Sequence, residues 1–269
     1  MPAIVASVRR LLVLWDIDFT LIGASGVGLR LYEMVFRDMF GRELPGYAPM
    51  AGRTDRAIII DTLARAGISE PRAQVDQFIA RLAAMAPAGR EMAAGRSQAL
   101  PGAAAALTAL ARYAPSGAAD GEAEPLCVVQ SVLTGNVRQI AEVKLSAAGL
   151  TDRLDLGIGA YGDSHEVRAE LVHLARANAA RRYGHGFDGE QTVLVGDTEL
   201  DVAAALATGG RVVGVATGGT TADQLAAAGA HAVLPDLTDT AATVAAVLGH
   251  PSSPASPDGR AAPGLPDQR

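Results

Sequence analysis

Two aspartates one residue apart, Asp16 and Asp18, close the short apolar run Leu11-Leu12-Val13-Leu14-Trp15. The period of two along an extended segment points both side chains the same way. Two carboxylates so placed repel unless a cation lies between them or one keeps a proton. A second acidic group, Gly196-Asp197-Thr198-Glu199-Leu200-Asp201, follows the run Thr192 to Val195, and its second aspartate comes one helical turn after the first. Between these in the chain, Thr134-Gly135-Asn136 follows a run ending at Leu133. A hydroxyl, a glycine that allows close backbone approach and a helix start suit either an anion cradle of backbone N–H groups or a plain helix N-cap. Acids from two strand ends with an anion site between them are what a hard divalent cation bridging to a phosphate needs.

The elements that must position these residues form two kinds of pattern. The runs at 11–15, 126–133, 156–159, 192–195, 212–215 and 231–234 are short and rich in branched residues, as expected of strands buried on both faces. From residue 126 onward they alternate with helical segments at 137–148, 166–182, 200–207, 221–228 and 238–248. That alternation predicts an α/β fold, a Rossmann-like doubly wound parallel sheet, with the polar residues at the strand edge where such sheets bind ligands. Residues 24–97 read as helical throughout: an amphipathic helix over 26–40, a second from Thr54 or Asp55, and a third from Pro71 to Met85, with a fourth following from Pro101 to Leu110. Residues 114–125 read as a surface loop, and the Pro/Ser/Gly-rich stretch 250–269 as a disordered tail.

Read together, Asp16–Thr20 resembles the DxDxT signature of the haloacid dehalogenase (HAD) superfamily, a superfamily dominated by phosphatases. Thr134 fits its second motif and Gly196-Asp197-Thr198-x-x-Asp201 its fourth. The helical stretch between the first and second motifs is similar to the C1 cap of the phosphoglycolate-phosphatase-like branch. The resemblance implies a discontinuous catalytic core at 8–23 and 98–249 and a cap at 24–97. It implies a small phosphorylated metabolite as substrate, Asp16 as the nucleophile that forms an aspartyl-phosphate, and Asp18 as general acid and base. Thr134, with Gly135 and Asn136, would hold the phosphoryl oxygens. Mg²⁺ would sit on Asp16, Asp197 and the Asp18 carbonyl, supported by Asp201. A phosphosugar mutase and a non-catalytic binding protein share these core residues and remain alternatives.

Two positions depart from the family pattern. Phe19 stands where the family most often has glycine, and a bulky aromatic there narrows the substrate pocket. The third motif expects a cation that neutralises the aspartate and phosphate. Only one of the 23 basic residues is a lysine, Lys144, inside the helix after Thr134, where it is free to face solvent. Arg168, after the strand near 157–160, is better placed and is the expected third-motif charge. The lysine count also removes competing chemistries. A phosphonate hydrolase of this superfamily needs a cap lysine, and 24–97 has none. The glycines of Gly23-Ala24-Ser25-Gly26-Val27-Gly28 loosely match a dehydrogenase loop, but Tyr-x-x-x-Lys fails because Ile140 precedes Lys144 by four. They suit a flexible connection into the cap. A dehalogenase would leave Asp18 idle. Within the cap, Gly52-Arg53-Thr54-Asp55 opens a helix, with Thr54 or Asp55 as its cap and Arg53 either solvated or placed over the site as a substrate-selecting residue.

Composition sets the outer limits. The chain has 269 residues, 49% hydrophobic, 19% charged and 4% aromatic, which excludes a disordered or collagen-like chain. No apolar run approaches the ~18 residues of a membrane span. A net charge of −6 lacks the basic footprint of a nucleic-acid binder. One cysteine, Cys127, makes neither an internal disulfide nor a thiolate zinc site. The five histidines are scattered, His165 lying nearest a site edge. The N-terminus has its arginines before a short apolar run that ends in aspartates, unlike a secretion signal, so a cytoplasmic protein is expected.

Overall fold

A computed structural model describes residues 8–113 and 126–250. The loop expected at 114–125, the tail after residue 250 and the first seven residues of the presumed non-signal N-terminus lie outside the described residues. Six strands, β1 (Arg9–Trp15), β2 (Leu126–Thr134), β3 (Ala160–Tyr161), β4 (Thr192–Gly196), β5 (Arg211–Val215) and β6 (Ala232–Leu234), form one sheet in the order β3-β2-β1-β4-β5-β6. Every pairing is parallel. The order reverses direction beside β1, and the crevice outside the carboxyl ends of β1 and β4 is the topological switch point of such a sheet.

The alternation of β1 explains why both sheet faces are covered. Leu11, Val13 and Trp15 pack on one side against α5 (Ala103–Leu110), α6 (Arg138–Ala147) and α10 (Thr240–Leu248). Leu12 and Leu14 face α7 (Arg168–Tyr183), α8 (Glu199–Ala207) and α9 (Ala222–Ala227) on the other. β1 is thus apolar at every position from Leu11 to Trp15 and delivers Asp16 only where the sheet ends. Trp15 is fully buried, its indole N–H donating to Gln130 Oε1 at 3.2 Å. Cys127 is partly buried against the α7 layer.

Residues 24–97 are helical as expected: α1 (Val27–Phe40), α2 (Asp55–Arg65), α3 (Pro71–Ala84) and α4 (Ala86–Ala93). These share a separate apolar cluster around Val35, Phe36, Ile59, Leu63 and Phe78, which continues into Val137, Ile140 and Val143 at the start of and along α6. The cap is therefore seated on the core by an apolar face. Its two connections run side by side, Gly23 N–H donating to Gln98 O at 3.0 Å and Leu100 N–H to Leu21 O at 2.9 Å.

Two elements differ from the sequence expectation. α4 escapes a pattern reading because Pro87 and Gly89 are poor helix formers, yet a proline in the first turn forfeits no helical hydrogen bond. The third strand lies at Ala160–Tyr161 instead of 156–159. There the Asp155 carboxylate accepts the Gly157 N–H at 3.1 Å, and a turn occupies the apolar residues that read as a strand.

Candidate active site

Four acids and two bases meet at the carboxyl edge of the sheet. Asp16 follows β1 and is fixed by its own N–H donating to Val195 O of β4 at 2.8 Å. Asp197 follows β4, and Asp201 lies in the first turn of α8. One carboxylate oxygen from each of Asp16, Asp197 and Asp201 lies within 4.8 Å of the others, and all three residues are buried. Burial raises the pKa of Asp16, and the charges of Asp201 and Asp18 raise it further against the opposing pull of Arg168. Asp197 is raised by burial first and then by Asp16 and Asp201.

The three acids are not equivalent. Asp201 accepts the Thr198 N–H at 3.1 Å and hydroxyl at 2.6 Å on one oxygen, and two guanidinium N–H groups of Arg168 at 2.9 and 2.6 Å on the other. Its acceptors are taken, so it serves to hold Arg168 and the α8 N-terminus. Asp197 accepts only the Thr20 hydroxyl, at 3.2 Å, and Asp16 faces Arg168 at 3.0 Å. These two carboxylates keep oxygens free. Four carboxylates face only two cations, and free hard oxygen donors of this kind fit a divalent cation such as Mg²⁺. Asp16 and Asp197 are the residues that would hold it.

Arg168, which begins α7, is buried between Asp16 and Asp201 and also donates to the Gly52 and Leu133 carbonyls. Lys144 corrects the sequence expectation of a solvent-facing lysine. It is 5% exposed, and its ammonium reaches both Asp18 oxygens at 2.8 and 2.7 Å and Asn136 Oδ1 at 2.7 Å. α6 is buried on two sides, by the sheet and by the cap, and Lys144, less than two turns from its start, lies among its buried residues. Lys144 and Asn136 lower the Asp18 pKa, overcoming the burial that would raise it. Thr134 is fully buried at the end of β2, its hydroxyl accepting from Asn136 Nδ2 at 2.8 Å, and the same amide donates to Asp18 at 2.8 Å. Asn136 therefore ties Thr134, Asp18 and Lys144 together.

The cap closes the site through backbone contacts. The first N–H groups of α2 have no partner in their own helix; those of Asp55 and Arg56 donate to the Gly135 and Gly162 carbonyls of the core at 2.7 and 2.9 Å. Thr54 caps α2 and donates to Glu166 O at 3.0 Å. Gly135 has to be glycine for this approach, since a Cβ there would lie 2.0 Å from Arg53 O. Asp55 accepts from the Val137 N–H and the Tyr32 hydroxyl, both at 2.7 Å, and burial pushes its pKa up to about 6. Arg53 lines the cavity, yet its guanidinium turns back along α2 to Asp61 at 2.6 Å and Pro49 O at 3.0 Å. His165 is exposed and accepts the Val167 N–H, outside the cavity lining.

Phe19 adopts φ +60°, the left-handed region. The turn from Asp16 to Ile22 requires it: Phe19 N–H reaches Ile22 O at 2.8 Å while Leu21 N–H returns to Ile17 O at 2.9 Å. Glycine suits this position without strain, and phenylalanine occupies it at a cost of about 1–2 kcal/mol. Neither this strain nor the Tyr32–Asp55–Val137 and Lys144–Asp18 linkages was visible in the sequence. Asp55 and Val137 are 82 residues apart and nothing in their local pattern couples them.

Residues 170–240 match a family model described as HAD-hydrolase-like. No curated protein sequence matches the chain. Among solved structures it is similar to a hydrolase from Pseudomonas syringae, at 18% identity and TM-score 0.59 over 88% of this chain and 98% of that one. A predicted phosphatase from Clostridium acetobutylicum matches at 15% identity and TM-score 0.60, over 88% and 99%. A haloacid dehalogenase-like family hydrolase from Streptococcus pneumoniae matches at 15% identity and TM-score 0.55, again over 88% and 99%.

Proposed function

We propose that this chain, which carries the haloacid dehalogenase-like fold, is a phosphatase that hydrolyses small phosphate monoesters through an aspartyl-phosphate. The observation that supports it best is the pairing of one free carboxylate, Asp16, with a flanking cation, Arg168, and a second, separately held carboxylate, Asp18. An Asp16 oxygen attacks phosphorus, the new O–P bond forms, and the ester P–O bond breaks to release an alkoxide that takes a proton from Asp18. Asp18 then accepts a proton from water, whose oxygen attacks phosphorus, and the bond to Asp16 breaks to release inorganic phosphate. Lys144 and Asn136 hold Asp18 in its ionised form, the form needed by the second step; the first step requires those contacts to yield to the substrate. Arg168 and Thr134 face the transferred group and offset its charge. A bound Mg²⁺ on Asp16 and Asp197 supplies the charge screening that lets an anionic ester approach a carboxylate. Among the described residues no helix is long and apolar enough to cross a membrane.

The test is acid quenching of the chain with Mg²⁺ and an aryl phosphate, followed by peptide mass spectrometry. Asp18→Asn is expected to accumulate a phosphoryl adduct on the peptide containing Asp16. Phosphate release by Asp16→Asn at the wild-type rate would end this reading. Absence of turnover across a broad ester panel would favour a binding role.

A further inference from the structure

Resting on the phosphatase reading, we infer that the organic group of the substrate is uncharged and apolar, an aliphatic or aromatic alcohol esterified to phosphate. The cavity above Asp16 encloses about 500 Å³, within the range of small-molecule sites. One end is the charged sheet edge. The apolar part of the lining is Leu29, Leu31, Met50, Ile58 and Leu82 of the helical insertion together with Phe19, which directly follows Asp18. Phe19 and Leu29 are 43% and 40% exposed, large apolar side chains whose open surface an occupant of the cavity would cover.

The polar groups on the cap side are already committed. Arg53 is held by Asp61 and Pro49 O. The Tyr32 hydroxyl donates to Asp55, and the other Asp55 oxygen takes the Val137 N–H. At the core side Lys144 spends its ammonium on Asp18 and Asn136, and Arg168 on Asp16, Asp201 and two carbonyls. Among the described residues lining the cavity each cation already has an anionic partner, and the hydroxyl protons without an acceptor are those of Ser25 and, at the phosphoryl end, Thr134. A sugar, hydroxy acid or nucleoside entering there would leave its own polar groups without partners, which discriminates strongly against it. An alkyl or aryl group gains from every carbon it buries.

The experiment is a kcat/KM series for the full chain with Mg²⁺ on methyl, propyl and hexyl phosphate, set against glucose 6-phosphate, phosphoglycolate and adenosine monophosphate. The expected result is a rise of about threefold to fourfold per added methylene, with hexyl phosphate exceeding every polar ester. A flat or falling series, or a polar ester turned over faster than hexyl phosphate, overturns the inference and leaves the phosphatase reading intact. Calorimetric titration of Asp16→Asn separates the two. If no ester is hydrolysed while this variant binds hexyl phosphate more tightly than glucose 6-phosphate, the hydrolase reading falls and the apolar site stands. Binding in the opposite order, or of neither, overturns the site. Leu29→Lys, at an exposed position of the wall, is expected to lower kcat/KM for hexyl phosphate about tenfold more than for phosphoglycolate; equal losses on both would count against the apolar wall.

Discussion

The two ends of the cavity solve opposite problems. At the sheet edge, four carboxylates and two cations sit within reach of one another, and each charged group is held by at least one specific partner. On the cap wall, the side chains are apolar and the few polar groups are paired among themselves. In the proposed reaction, the first arrangement concentrates charge where the phosphoryl group would be attacked. The second leaves the rest of the ester to shape and hydrophobic contact. Under the proposed function, catalytic chemistry falls to the strand ends and substrate choice to the helical insertion.

Breaking the charged end should have the largest effects. Asp16→Asn is expected to reduce phosphate release by on the order of 10⁴-fold or more, measured by single turnover, while thermal stability is retained. Arg168→Met leaves Asp16 and Asp201 buried without their shared cation, and is expected to destabilise the chain by about 3–5 kcal/mol in urea unfolding. Arg168→Lys should recover only part of that loss, since one ammonium cannot reproduce the paired N–H contacts to Asp201. A stability change below about 1 kcal/mol in Arg168→Met would show that the pairing is dispensable to the fold.

The joint between the two ends gives a pH test. Asp55 has its pKa pushed up to about 6, above the value of an unfolded aspartate, so the folded chain binds its proton more tightly. The sign follows: stability falls as pH rises from about 4 to about 6, because the unfolded state releases the proton first. Relative to Asp55→Asn, which cannot titrate, the wild type should lose about 2–3 kcal/mol between those limits. A pH-independent difference would mean that Asp55 is already ionised when the cap is seated. The smallest effect belongs to Phe19→Gly. Relief of the positive φ and the greater freedom of glycine in the unfolded chain nearly cancel, so stability should change by less than about 1 kcal/mol. The same variant should lose about fivefold to tenfold in kcat/KM for a hexyl ester and little for a methyl ester, which sharpens the contrast between the wall and the charged end.

Much of the charged end was legible before any coordinates. Asp16 and Asp18 follow an unbroken apolar strand, and Asp197 and Asp201 straddle a strand end and a helical turn, patterns set by local periodicity alone. Arg168 could be preferred because it opens a helix after a strand. Lys144 could not be placed, because whether a side chain on α6 meets solvent depends on the cap helices packed over it, and those come from residues about 50 to 120 positions earlier. The same is true of Arg53. Its sequence position allowed a role over the substrate, but the rotamer is decided by Asp61, eight residues further on at an exposed position of α2.

The sequence by itself determined the parallel α/β core, the helical insertion and the strand ends from which the acids emerge. Hydrophobic period and turn chemistry are local properties, and a strand must be apolar on both faces to lie inside a doubly covered sheet. Only the tertiary structure decided which acid keeps free oxygens, which is saturated by Thr198 and Arg168, and which is tied to Lys144. It also decided that the cap presents carbon to the cavity. These are questions of which lone pairs and donors find each other across long separations, and in a buried site each such pairing is fixed by the packing of elements that share no sequence neighbourhood.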